Sequence, residues 1–377
     1  MKKNKQISLF TGLLGASLAI LLRLAFCFGT YNYDMESYTI VSELALAGAN
    51  VYEETSRYNY GFFWAATLAF CRWVGELSGS FDFQTFRIAI VLILAAVDVA
   101  LAGLLCKRYG MKTGLICLFF PTSVLLTGYH SQMDNFAILW AYCSWIILQQ
   151  KGRNWRLSAA LLGFSLVQKH IFIFFPVWLL FSNHFATWRE KIAYVSISYG
   201  IFLGSFLPFL GSEMAAKGIL ENVFGYNSAE GVAFLPYLMK KISVDWHNYL
   251  IGYEFYKYIF IGSLLGFGFY VKRAKNELFY LYLIAIVAFS SALVNQYLAI
   301  PVIALCINRN VWVWAFMGIS SAFLLLRSPA HLGILPFFKQ IFELLPLRVF
   351  WESIFSLYAC QILLLIILFQ RVRKLDL

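Results

Sequence analysis

Residues that could do chemistry gather in a few short stretches of this chain. The densest is 29–60, GTYNYDMESYTIVSELALAGANVYEETSRYNY, which sets five carboxylates (Asp34, Glu36, Glu43, Glu53 and Glu54) against one cation, Arg57. The whole chain has only 19 acidic residues and a net charge of +11, so acidity is concentrated here. A carboxylate at a membrane edge is ordinarily just solvated. Asp34 differs because Tyr31, Tyr33 and Tyr38 flank it and can shield it from water. A carboxyl group whose pKa is raised in this way suits a general base at neutral pH. Glu36 and Glu43 have the weaker claim and serve to orient the segment.

A second group is His130-Ser131-Gln132-Met133-Asp134-Asn135, with Asp134 placed to cap a helix beginning at 135. A turn and a cap would use part of it. Four side chains of such hydrogen-bonding capacity exceed that need and suit the hydroxyls of a sugar. The third group, Gln168-Lys169-His170, lies inside the apolar run 157–181. Lys169 is about 18 Å along a helix from the start of that run, too far to reach back to water. A cation at that depth needs a partner. One reading is a structural ion pair with Asp98; the other is a cation that meets a lipid phosphate.

The segment 211–247 mixes Phe224, Tyr226, Tyr237 and Trp246 with Lys217, Lys240, Lys241 and His247. Aromatic faces suit sugars and lysines suit phosphate, although interface anchoring uses the same residues. Asn295-Gln296-Tyr297, followed by Pro301, is a further polar break, and Arg327 and His331 are weaker external cations.

The elements that must hold these groups are helices in a membrane. Hydrophobic residues make up 61% of the chain and charged residues 13%, and mean hydropathy is +0.71. Repeated apolar runs near the roughly 20 residues needed to cross a bilayer give an all-α polytopic membrane protein. Candidate spans are 7–28, 61–78, 86–105, 113–129, 132–150, 157–181, 192–210, 248–270, 278–293, 297–308, 311–326 and 349–369, about 11–12 in all. The whole chain, 1–377, reads as one integral-membrane domain with a first external loop at 29–60 and a second at 211–247. In the first loop the spacing of Tyr38, Val41, Ala45 and of Ile40, Leu44, Ala47 predicts a short surface helix, capped by Asp34 and stopped at Gly48-Ala49-Asn50.

Basic residues cluster between apolar runs, which is how such proteins fix orientation, and nucleic acid is excluded as a partner. The seven cysteines show no metal-like spacing and no disulfide framework. The apolar run after MKKNKQ is too long for a cleaved leader and is expected to be a retained span. Two crossing schemes fit residues 61–181. If every run crosses, Lys107, Arg108, Lys112 and the Lys151-Arg153-Arg156 cluster fall outside, against the charge rule. If one run between 61 and 129 crosses only partly and 157–181 turns out and back, both clusters fall inside and the 130–134 turn faces out.

Four of these blocks together resemble the GT-C superfamily of integral-membrane glycosyltransferases. Asp34 followed by Gly48-Ala49-Asn50-Val51-Tyr52 and Arg57-Tyr58-Asn59-Tyr60 is similar to the acidic first-loop block of glycosylphosphatidylinositol and bacterial mannosyltransferases. It departs from them at Val51 and Gly61, where proline is usual. His130 to Asn135 is similar to a "G/H-x-Q-x-D/N" block. Leu161-Leu162-Gly163 with Gln168-Lys169-His170 and Pro176 looks like the lysine-histidine block of glucosyltransferases. Asn295-Gln296-Tyr297 with Pro301 is similar to a "QY…P" block.

The resemblance implies a hexosyltransferase that moves a sugar from a polyprenyl-phosphate carrier to a lipid-linked or cell-envelope glycan at the external face, and the compact loops point to a bacterial plasma membrane. It implies inverting transfer with Asp34 as catalytic base. It implies substrate binding by Glu36, Arg57, Tyr60, His130, Gln132, Asp134, Lys169, His170, Tyr226, Lys240, Lys241, Gln296 and Tyr297. No cofactor is required by this pattern, although some members use a divalent cation that Asp34 and Asp134 would have to share. The competing readings are a lipid-linked saccharide flippase or other transporter, and an O-antigen-type polymerase, which arginine-rich external loops would favour.

Overall fold

The computed structural model describes residues 2–28, 31–150, 152, 154–225, 254–291, 293–327 and 355–375. Every regular element among them is helical. In chain order the helices are α1 (Lys2–Cys27), α2 (Tyr33–Leu46), α3 (Val51–Glu54), α4 (Phe62–Glu76), α5 (Phe83–Tyr109), α6 (Met111–Leu118), α7 (Pro121–Gly128), α8 (Asp134–Leu148) and α9 (Trp155–Gln168). They continue with α10 (Phe175–Phe181), α11 (Trp188–Gly204), α12 (Glu213–Gly218), α13 (Glu254–Tyr270), α14 (Leu278–Ala288), α15 (Val302–Ile307), α16 (Val311–Arg327) and α17 (Phe355–Val372).

α5 shows why the longest of these forms. Its 27 residues are almost all apolar. The Asp82 carboxylate accepts the amides of Gln84 and Thr85 at its start, and Lys107 and Arg108 sit where the helix dipole favours cations. Among the described residues three stretches, Phe10–Cys27, Phe83–Tyr109 and Trp188–Phe209, are long and apolar enough to cross a membrane, or five if two bent pairs each count as one span. The runs expected at 132–150, 278–293, 297–308, 311–326 and 349–369 are shorter apolar helices. The run at 113–129 is two helices, α6 and α7, bent by 47°.

The bundle has two chemically distinct ends. At one, Gly12 of α1 lies against Met111, Arg108 donates to Gln149, and the Tyr109 and Tyr280 hydroxyls bond at 2.7 Å. Arg371 of α17 joins them there through Glu277 at 2.6 Å and the Ala304 carbonyl at 3.0 Å. At the other end, Gln84 reaches the Cys27 carbonyl and Tyr31 packs on Phe83, with ring centroids 4.9 Å apart. Asn50 donates to the Phe209 carbonyl at 2.8 Å on the same side.

α4 does not span the bundle, which corrects the expectation of a crossing at 61–78. Its first cap, Gly61, presses against the end of α9: a Cβ there would lie 2.2 Å from the Val167 carbonyl oxygen, so only glycine permits the approach. Its far end meets the start of α5, where the Asp82 amide bonds the Gly75 carbonyl at 2.9 Å. Both termini of α4 therefore lie at the same end. Between them it runs along α2, with Tyr38 edge-on to Trp64 and Arg72 reaching Glu43 at 3.4 Å.

The run 157–181 turns back on itself, as the out-and-back scheme expects. The bend is 119° and its apex is Lys169, whose extended backbone (φ −161°, ψ 132°) ends α9. Pro176 then stands in the first turn of α10, where its missing amide costs nothing.

Beneath this end, one carboxylate joins four helices. Asp98 of α5 accepts from Arg23 of α1 at 2.7 Å, from Thr127 of α7 at 2.9 Å and from Asn135 of α8 at 2.6 Å. Arg23 spends its other donors on the Ala19 and Leu118 carbonyls. The expected Asp98–Lys169 pair is not formed, because Arg23 on the neighbouring helix already neutralises Asp98. Breaking a buried pair leaves one uncompensated charge, whereas replacing both partners does not. Asp98→Leu should lower unfolding stability by about 3–5 kcal/mol, and Arg23→Met/Asp98→Leu by much less, as measured by thermal unfolding in detergent.

Candidate functional site

α2 begins as the first-loop pattern predicts and buries Met35, Tyr38 and Val41 on one face. Its cap differs from the expectation. Asn32 occupies the N-cap position, and Asp34 lies inside the first turn. The Asp34 carboxylate is thereby free to turn toward the 130–134 segment, where Oδ2 accepts from Gln132 Nε2 at 2.5 Å and from Asn32 Nδ2 at 2.8 Å.

Asn32 Nδ2 also lies 3.2 Å from His130 Nδ1. An amide nitrogen can only donate, so His130 accepts at Nδ1 and carries its ring proton at Nε2. Between α7 and α8 the chain reverses at Ser131, with φ of +53°, the only non-glycine residue in the left-handed region among those described. That strained conformation lets the two residues flanking Ser131, His130 and Gln132, both face Asn32 and Asp34. No sequence signal marks Ser131 for it.

Asp134 does not cap α8 either; Met133 holds that position. The Asp134 carboxylate is 1% exposed and binds Lys169 Nζ through Oδ2 at 2.8 Å. Lys169 donates further to Gln296 Oε1 at 3.3 Å and lies 5.4 Å from the centre of the Tyr60 ring. The buried cation thus finds the partner that its depth demands, in the acidic residue of the 130–135 block. A lysine held for structure alone would also be paired, so the pairing by itself does not separate the two roles. The convergence does more: Asp34, Tyr60, His130, Gln132, Asp134, Lys169 and Gln296 come from four separate stretches and meet at one end of the bundle.

The Asp34 carboxyl is raised from its ordinary 3.8, chiefly because burial disfavours its charge. Lys169 and the bonds from Gln132 and Asn32 pull it down, and Asp134 pushes it up. The balance is still upward, the direction a general base working near neutrality requires.

Other expected site residues stand apart or outside the described residues. Glu36 and Arg57 pair with each other at 3.5 Å, and Arg57 lies over the exposed Tyr33 ring at 3.9 Å, so neither is drawn into the Asp34 cluster by any of these bonds. His170 and Tyr297 are half-buried neighbours of Lys169 and Gln296. Lys217 is exposed beside Glu221, and Phe224 packs on Phe202 and Phe206. Tyr226, Tyr237, Lys240, Lys241, Trp246, His247 and His331 lie outside the described residues. Asn32 was not expected; its only sequence signal was its place two residues before Asp34.

A divalent cation shared by Asp34 and Asp134 does not fit this arrangement. The Lys169 ammonium already holds Asp134 at 2.8 Å, and no cluster of three His, Cys, Asp or Glu residues among those described could hold a metal ion.

The Asp34 shift also has a stability consequence. A carboxyl raised by folding binds more protons in the native than in the unfolded chain, so stability falls as pH climbs from the ordinary value of 3.8 through the raised one. Asp34→Asn removes that penalty. Its melting temperature at pH 7 should exceed that of wild type by a few degrees, with the difference vanishing below pH 4, in a thermal-shift series across pH. Comparison of the chain with protein-family models and with curated proteins gives no match.

Proposed function

We propose that this chain is an integral-membrane glycosyltransferase that moves a hexose from a polyprenyl-phosphate carrier to a glycan or glycolipid acceptor. The observation that carries the reading is the assembly of one carboxylate held above its usual pKa and one buried ammonium within a single cluster. Inverting transfer needs both. Asp34 takes the proton of an acceptor hydroxyl as its oxygen attacks the anomeric carbon. The bond from that carbon to the carrier phosphate breaks, and the phosphate leaves with the bonding pair toward Lys169. Asn32, with His130 behind it, and Gln132 hold the base in place, and Tyr60 offers a ring face beside the cation. Hydroxyls of the sugar find acceptors in Gln132 and Asp134.

The cluster lies at the end of the bundle away from the basic loops. Lys107, Arg108 and Lys112, Arg189 and Lys191, Lys272, Arg273 and Lys275, Arg309, and Arg371, Arg373 and Lys374 all fall at the opposite end or on the connections leading to it. By the charge rule that end is cytoplasmic, which turns Asp34 to the outer face. The non-crossing α4 and the bend at Lys169 account for the parity of the first half. Membrane lipids are the surrounding partner, and a bacterial plasma membrane fits these short connections.

One observation favours a transporter instead: the Arg23–Asp98 pair places charge deep among α1, α5, α7 and α8. Those charges are mutually satisfied by hydrogen bonds, as a structural joint requires, whereas the Asp34 cluster sits at an end.

Reconstituted protein given labelled polyprenyl-phosphate hexoses and an acceptor-lipid extract should consume donor. Asp34→Asn should lose at least about 10²-fold in turnover. Lys169→Met should fold and lose donor use. Movement of labelled carrier across the vesicle without transfer would establish the transporter reading. Orientation is tested separately: a cysteine at exposed Tyr33 should react with an impermeant maleimide added outside intact cells, and one at Arg189 only after permeabilisation.

A further inference from the structure

The hydrogen bonds around Asp34 and Asp134 leave acceptors over. Asp134 Oδ1, Gln132 Oε1 and Asn32 Oδ1 are shielded from solvent, and none has a hydrogen-bond donor. Gln132 and Asp134 are themselves 4% and 1% exposed, so water does not make up the deficit by bathing them. With the Asp34 carboxylate, two neighbouring segments, 32–34 and 132–134, supply a set made only of hard oxygen atoms. That is the ligand chemistry of Mg²⁺, Mn²⁺ or Ca²⁺. The local charge is two carboxylates against one ammonium, Lys169, which lies 2.8 Å from Asp134 and 3.3 Å from Gln296.

We infer that Lys169 is the resident cation of an oxygen-lined site shared by Asp34 and Asp134, and that its ammonium stands where a hard divalent ion would otherwise bind. An ammonium is a point charge with three donors on a flexible stem. Lys169 uses two of those donors on Asp134 and Gln296 and keeps its charge within reach of Asp34. It supplies the electrostatic part of a metal's role with no free coordination position. It also excludes the metal, since like charge beside the same carboxylate oxygens opposes entry. Removing the ammonium should convert the site into a metal site, because two carboxylates that already repel each other are then left uncompensated among orphaned oxygens. The inference concerns ion binding and stands whether or not the chain transfers a sugar.

The test is Mn²⁺ titration of the full-length protein in detergent, followed by electron paramagnetic resonance of free and bound ion. Wild type should bind no Mn²⁺ that depends on Asp34 or Asp134. Lys169→Ala should bind one Mn²⁺ at least about 10-fold more tightly than any wild-type site, and Lys169→Ala/Asp134→Asn should lose it. If Lys169→Ala does not accumulate, Lys169→Gln serves, since it keeps the stem and removes the charge. Wild-type Mn²⁺ binding that is abolished in Asp34→Asn would overturn the inference, as would a folded Lys169→Ala or Lys169→Gln that gains no ion. A transferase that works unchanged in chelator, with those same results, would separate this inference from the sugar-transfer reading.

Discussion

The Asp98 carboxylate is the joint on which the site end depends. It accepts from α1, α7 and α8 while standing on α5. Each of those partners lies in the same stretch of chain as a site residue. Arg23 lies before the turn that leads to Asn32 and Asp34, Thr127 precedes His130 and Gln132, and Asn135 follows Asp134. A buried carboxylate is costly unless paired and fully hydrogen-bonded, so the three helices are held in one register by the penalty for leaving any donor out. Helix packing among Leu, Val and Ala side chains alone would tolerate sliding; this bond set does not.

Above that joint, the site is built from places where helices stop. α1 ends before Asn32, α7 ends before His130, α8 begins at Asp134, and α9 ends at Lys169. Helix ends are where side chains and backbone amides are released from the ladder, so a polar cluster can be assembled there without interrupting a span. The two surface helices complete it. α2 carries Asp34, and α4 is fixed by Gly61 against Val167, which sets Tyr60 beside Lys169. Glycine is the one residue that fits so close to a carbonyl.

The electrostatics of the cluster follow from its geometry. Lys169 acts on two acids, bonded directly to Asp134 and reaching Asp34 through space. The bonded acid gains a full partner, while the distant one gains only part of what burial takes from it. Asp134 is thereby held in an ion pair, while Asp34 keeps a raised carboxyl, as a general base requires. The chemistry that this permits is the transfer proposed above.

Much of this could be read along the chain. An apolar composition of 61% calls for long apolar helices, compatible with a membrane, and the spacing of Tyr38, Val41 and their neighbours gave α2 its buried face. The depth of Lys169 required a partner, and the polar group at 130–135 exceeded the needs of a turn. Those are local quantities: hydropathy, period and the cost of an unpaired charge act on a segment wherever it ends up. The partner itself was not legible, nor was the cap at Asn32 in place of Asp34, the left-handed Ser131, or the helix at 62–76 that keeps both its termini at one end of the bundle. Each depends on which distant segment comes within 3 Å, and an apolar run of fifteen residues reads the same whether it crosses a bilayer or rests on its surface. Tertiary packing decides those questions, because a close contact such as Gly61 on Val167 or a charge such as Arg23 beside Asp98 excludes every arrangement but one.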